Sequence, residues 1–164
     1  MVHQIFFRTY FGYWISLGLL GMVGCTSKST QLQQEPTSST NIAALAQILQ
    51  LKNKPTRVQW VKFTRNQFNN EWGILAVLEY PSQYLTDLKT KAKKLNYTFD
   101  HLDKKMLKPW YPKDLRSCFE QQSSSKHLRF NCPVYAATHF AKSPLLRGFM
   151  AFSGRFLWLY LYAQ

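Results

Sequence analysis

The strongest constraint on the fold lies in the last ten residues. Across Arg155–Ala163, Leu157, Leu159 and Leu161 alternate with Phe156, Trp158, Tyr160 and Tyr162. Successive side chains of a strand point to opposite faces, so this strand carries large apolar groups on both. Such a strand belongs at the centre of a sheet or under a helix, with cover on each side. Phe149-Met150-Ala151-Phe152 precedes it across Ser153-Gly154, which reads as strand, tight turn, strand. The run from Trp72 to Tyr80, stopped by Pro81, reads as a second central strand covered on both faces.

The remaining elements fit round these. Thr40-Asn41 can cap a helix over about 42–52, with Ile42, Leu45, Leu49 and Lys52 on one side and Ile48 widening it. Asn53-Lys54-Pro55 ends it. Residues 57–64 are β-branched and aromatic, and are expected to form a strand. Ser82 is expected to cap a helix over about 83–95, whose stripe is Leu85, Leu88, Ala92 and Leu95. Pro112 suits the start of a short helix to Phe119, and Pro133 the start of a turn through Ala141. The order of elements predicts an α+β fold: a small antiparallel sheet with helices packed on it and a C-terminal β-hairpin. A 16% aromatic content supports a packed core rather than disorder.

The amino-terminal residues have a different character. Arg8 precedes an apolar run, Tyr10 to Val23, interrupted only by Ser16 and glycines. The run has the length of a signal-peptide core and is short for a membrane span. It ends Leu20-Gly21-Met22-Val23-Gly24-Cys25, with small Gly24 immediately before Cys25. This segment resembles the lipobox of bacterial lipoproteins. The resemblance covers residues 1 to about 30. It implies cleavage between Gly24 and Cys25, diacylation of the Cys25 thiol and, usually, acylation of the new amino group. Two or three acyl chains hold a protein stably at a membrane where one does not. Thr26, where an Asp would favour inner-membrane retention, implies the periplasmic face of the outer membrane. The expected organisation is a signal peptide over 1–24, a Ser/Thr/Gln-rich flexible tether over 25–40, and one globular domain over 41–164.

The cysteine count follows the same reading. There are three, an odd number for an exported chain. Lipidation of Cys25 leaves Cys118 and Cys132, which an oxidising compartment is expected to join. Metal binding is not expected, because His127 alone does not complete a site with them.

The chain carries 21 Lys+Arg against 8 Asp+Glu, a formal charge of +13. That sign favours anionic partners: lipid, glycolipid, a cell-wall polymer, or an acidic envelope protein. Nucleic acid is not an expected partner, since export removes the chain from it. The surplus concentrates in Lys89, Lys91, Lys93, Lys94, Lys104, Lys105, Lys108, Lys113 and Arg116, against Asp100, Asp103 and Asp114. This segment is either a solvated face or an anion-binding surface. Within it, Lys108-Pro109-Trp110-Tyr111-Pro112-Lys113 reads as a rigid loop whose Trp packs on the core, or as a ring-stacking platform for a sugar or a lipid interface. The aromatic row of the last strand is either core or the lining of an acyl-chain pocket.

No catalytic motif emerges. His101, His127 and His139 lack metal-type spacing, no glycine loop cradles a phosphate, and no Ser sits in a nucleophile elbow. No cofactor is implied. The sequence therefore points to a non-enzymatic binding or assembly-accessory module of the cell envelope. The alternative is a periplasmic enzyme, or an inhibitor of one, whose site only the fold assembles.

Overall fold

A computed structural model describes residues 37–66, 71–96, 98–121 and 127–163. The order is α1 (Ile42–Ile48), β1 (Arg57–Asn66), β2 (Glu71–Glu79), α2 (Ser82–Lys91), β3 (Phe99–Asp103), a 3-10 turn (Lys104–Met106), α3 (Lys113–Arg116), β4 (Phe119–Gln121), β5 (His127–Phe130), β6 (Val134–Ala136), β7 (Arg147–Ser153) and β8 (Phe156–Tyr162). The fold is α+β with antiparallel sheets and ends in the β7–β8 hairpin. The described residues belong to one compact unit. The expected signal peptide, Gly24, Cys25 and most of the expected tether lie outside the described residues.

Five strands form the main sheet in the order β1-β2-β8-β7-β6. β2 and β8 are its inner strands, paired from Gly73↔Tyr162 to Glu79↔Phe156. The two segments with apolar groups on both faces thus lie side by side. One face holds Ile74, Ala76, Leu78, Leu157, Leu159 and Leu161, covered by Leu45 and Leu49 of the α1 region, Leu85 and Leu88 of α2, and Phe140 and Leu145. The other holds Leu75, Val77 and Trp158, covered by Tyr111, Leu115, Cys118 and Phe130. This second layer contains α3 and a three-stranded sheet in the order β3-β5-β4.

Trp158 is the centre of the second core. It is fully buried, stacks on Phe130 at 4.7 Å and meets Phe119 and Phe149 edge-on at 5.3 Å each. Its indole N–H donates to the hydroxyl of buried Tyr111 at 3.0 Å. Burial pushes the Tyr111 phenol well above its ordinary pKa, so it stays neutral. Cys118 and Cys132 are bridged, with Cα atoms 5.1 Å apart. The bridge closes the base of the β4–β5 hairpin, where Asn131 N–H also donates to Cys118 O.

Two glycines set local geometry. At Gly154, φ is 58°, the left-handed turn conformation that glycine adopts at little cost. At Gly73 a Cβ would lie 2.4 Å from the Phe63 ring and 2.6 Å from Leu161 O. Without one, Phe63 lies across β2 and stacks on Tyr160 at 5.3 Å.

Helix ends depart from the expected ones for identifiable reasons. Asn41 does cap α1, accepting from Ala44 N–H at 3.0 Å, but the helix stops at Ile48, where Leu49 turns extended. Gln50 N–H then bonds Phe140 O. For α2 the capping position is Pro81, with no side-chain cap, and Ser82 is already helical. α2 ends at Lys91 rather than near residue 95. Beyond it the backbone pairs with β6: Ala136 N–H reaches Lys93 O and Leu95 N–H reaches Val134 O, each at 2.9 Å. The short helix after Pro112 covers only Lys113–Arg116, and Val134–Ala136 is a strand rather than a turn. At the opposite edge, Ser39 bridges Trp60 of β1, so the chain is already on the sheet two residues before 41.

Candidate functional site

The basic segment does not make one face. Lys89 and Lys91 are exposed on α2, in the layer over the leucine face of the main sheet. The chain then wraps round the β6 edge, placing exposed Lys93 and Lys94 there. Lys104, Lys105 and Lys113 are exposed in the opposite layer, on the 3-10 turn and α3. Lys93 and Lys94 therefore sit on extended backbone, not on the flank of a helix. The expected single surface also loses Lys108, which is only 9% exposed. The Lys108–Lys113 loop folds inward to deliver Tyr111, and Lys108 is drawn in with it. Arg116 is committed as well: its guanidinium donates to Tyr111 O at 2.8 Å and to Pro109 O, tying that loop down.

What remains is a basic edge built from Lys89, Lys91, Lys93 and Lys94. Among the described residues, none of these four is in an ion pair. His139, on the same layer, reports the local field. Its pKa is held below the ordinary 6.5, first by burial and then by the charges of Lys52 and Lys91. Lys52 thus joins the positive field. It comes from the far side of the sequence, and only the fold brings it near Lys91. The His139 ring also meets the Tyr84 hydroxyl at 3.2 Å.

A groove of about 480 Å³ lies at the other edge of the main sheet. Its floor follows from strand register. Arg57 faces Glu79 across β1–β2, Glu79 faces Phe156 across β2–β8, and Gln59 faces Val77. Trp110 and Pro112 form a wall. Glu79 is the hub: its side chain is 13% exposed, with Arg155 Nε at 3.2 Å and Arg57 Nη1 at 4.0 Å. Both arginines are exposed, at 62% and 80%. In the Pro-Trp-Tyr-Pro motif it is Tyr111 that enters the core. Trp110 stays half-buried, edge-on to Tyr111 at 4.7 Å, and faces the groove. Sequence reasoning missed Glu79, although it is the one charged residue in the otherwise apolar run from Trp72 to Tyr80.

A second hollow, of about 400 Å³, is lined by Phe99, Leu102, Phe149, Tyr160, Tyr162 and the strand start Leu146–Gly148. The aromatic row of β8 is therefore divided: Trp158 is core, while Tyr160 and Tyr162 are half-buried at its rim. Leu146 is 64% exposed beside them. Among the described residues no group of three His, Cys, Asp or Glu is placed to hold a metal ion. No protein-family model matches the chain, and no characterised protein or solved structure shows significant similarity to it.

Proposed function

We propose that the chain is a lipid-anchored envelope protein: a non-enzymatic binding or assembly-accessory module, held through Cys25 at the periplasmic face of the outer membrane. The observation that carries this reading is the Cys118–Cys132 bridge. A structural disulfide belongs to an oxidising compartment. With those two cysteines joined, Cys25 is the one left over, and it follows small Gly24 at the end of an apolar run. The partner class is anionic. Lys89, Lys91, Lys93 and Lys94 form an exposed edge, and the charge of Lys91, with that of Lys52, acts on His139. A domain tethered to a membrane meets headgroups first, and each lysine near an anionic surface contributes about 1 kcal/mol.

The test uses the Cys25→Ser chain, so that acyl groups do not bind by themselves. It should sediment with phosphatidylglycerol vesicles at low salt, and binding should fall steeply as salt rises. Replacing Lys91, Lys93 and Lys94 together by Gln should weaken it on the order of 100-fold. Equal binding to phosphatidylcholine at every salt level would overturn the anionic reading, as would indifference to the triple substitution.

A further inference from the structure

The groove beside β1 is at the opposite edge of the main sheet from the lysines, and the lysine edge gives it no role. Its chemistry is specific. Glu79 neutralises part of two guanidinium groups at once. Its carboxylate, 13% exposed, pairs with Arg155 Nε at 3.2 Å and lies 4.0 Å from Arg57 Nη1. Arg57, its side chain 80% exposed, is the guanidinium that lines the groove, and Arg155 is paired with Glu79 beside it. An exposed guanidinium takes a carboxylate, sulfate or phosphate with two parallel hydrogen bonds.

The rest of the lining is a mixture of flat apolar and short polar groups. Trp110 and Phe156 supply aromatic surface, and Thr40, Thr56 and Gln59 supply hydroxyl and amide groups. The Trp110 wall is rigid for a traceable reason. Arg116 ties down the Pro109 and Tyr111 carbonyls on either side of it, and Tyr111 is anchored under Trp158. A half-buried indole in a fixed orientation is a platform: it costs little conformational entropy to use and offers a flat apolar face. Flat apolar surface beside a polar rim matches a sugar ring, whose C–H faces are apolar and whose edge carries hydroxyls.

We propose that this groove binds an anionic glycan: one sugar ring packs on Trp110, and its acidic substituent pairs with Arg57, which lines the groove beside Glu79. The proposal rests on the groove alone and does not need Cys25 to be lipidated. Calorimetric titration of the full chain in detergent tests it, with oligogalacturonate as probe, a neutral galacto-oligosaccharide of equal length, and oligoglutamate. Oligogalacturonate should bind saturably and at least about tenfold more tightly than either control. Trp110→Ala should weaken it at least about tenfold. Arg57→Gln, at an exposed position that does not threaten folding, should weaken it several-fold. A chain whose circular dichroism matches the parent validates each variant. Equal binding of oligoglutamate, insensitivity to Arg57→Gln, or no binding of any probe overturns the proposal. Vesicle binding that survives in Arg57→Gln shows that such a failure is separate from the lysine edge.

Discussion

Trp158→Ala should cost about 3–5 kcal/mol of folding stability, the range for deleting a large buried aromatic. That is a large share of the roughly 5–15 kcal/mol that holds a domain together. Trp158 is 0% exposed and touches Phe119, Phe130, Phe149 and Tyr111. These belong to β4, β5, β7 and the loop before α3, so one indole ties the second layer to the main sheet. Its removal opens a cavity the rings cannot close, because they are fixed by their own strands. It also strips the Tyr111 hydroxyl of its donor. Urea unfolding followed by circular dichroism should show the midpoint fall. Tyr111→Phe separates the two causes: it keeps the packing and leaves the buried indole N–H unpaired, at about 1–3 kcal/mol. A midpoint unchanged by Trp158→Ala would mean that the second layer is not docked through this residue.

Removing the bridge, as Cys118→Ser with Cys132→Ser, should cost about 3 kcal/mol in the chain-entropy model for a loop of this length. The mechanism is loss of a constraint on the unfolded chain, with a native-state contribution at this site. The bridge closes the hairpin that carries Phe119 and Phe130, and those two rings cover Trp158. The double substitution and Trp158→Ala therefore act on one cluster, and their costs should not add. The triple variant is expected to lose less than the sum. Denaturation of the parent chain with and without reductant should reproduce the bridge's share. A midpoint indifferent to reductant would contradict it.

The strands that organise the fold were legible because each states its own requirement. Leu157, Leu159 and Leu161 alternating with Trp158 and three other aromatics demand cover on both faces wherever the partners come from. The short strands were not legible. Phe99–Asp103 alternates poorly and carries two carboxylates and a histidine, and Val134–Ala136 is too short to set a period. Their strand character comes from backbone partners: β5 for the first, β7 and residues 93–95 for the second. The same long-range pairing ended α2 early and moved Lys93 and Lys94 off it. A leucine stripe continuing to Leu95 favoured a longer helix, and a distant strand edge outweighed it.

The site was legible only in pieces. The lysine-rich stretch stood out by composition, but composition does not say which side of a sheet each residue reaches. One connection wraps the β6 edge, so a single charged run was shared between two layers. Lys108 left the surface because Tyr111, three residues on, was needed under Trp158. The groove had no local signature at all. Arg57, Glu79 and Trp110 meet there through sheet register and one anchored loop, and Arg155 pairs with Glu79. One signal was present: Glu79 near the end of the run Trp72–Tyr80, whose other groups carry no charge. A lone carboxylate in such a strand needs a partner, and its register neighbour across β1 is Arg57.

The claim that binds these parts together is the anchor at Cys25, and intact mass tests it most directly. Protein extracted from bacterial membranes in detergent should have lost residues 1–24, begin at Cys25, and carry the added mass of two or three acyl chains. Its Cys25→Ala counterpart should carry none and leave the membrane fraction. A membrane-bound chain that retains residues 1–24, or one that starts at Cys25 with no added mass, would contradict the account.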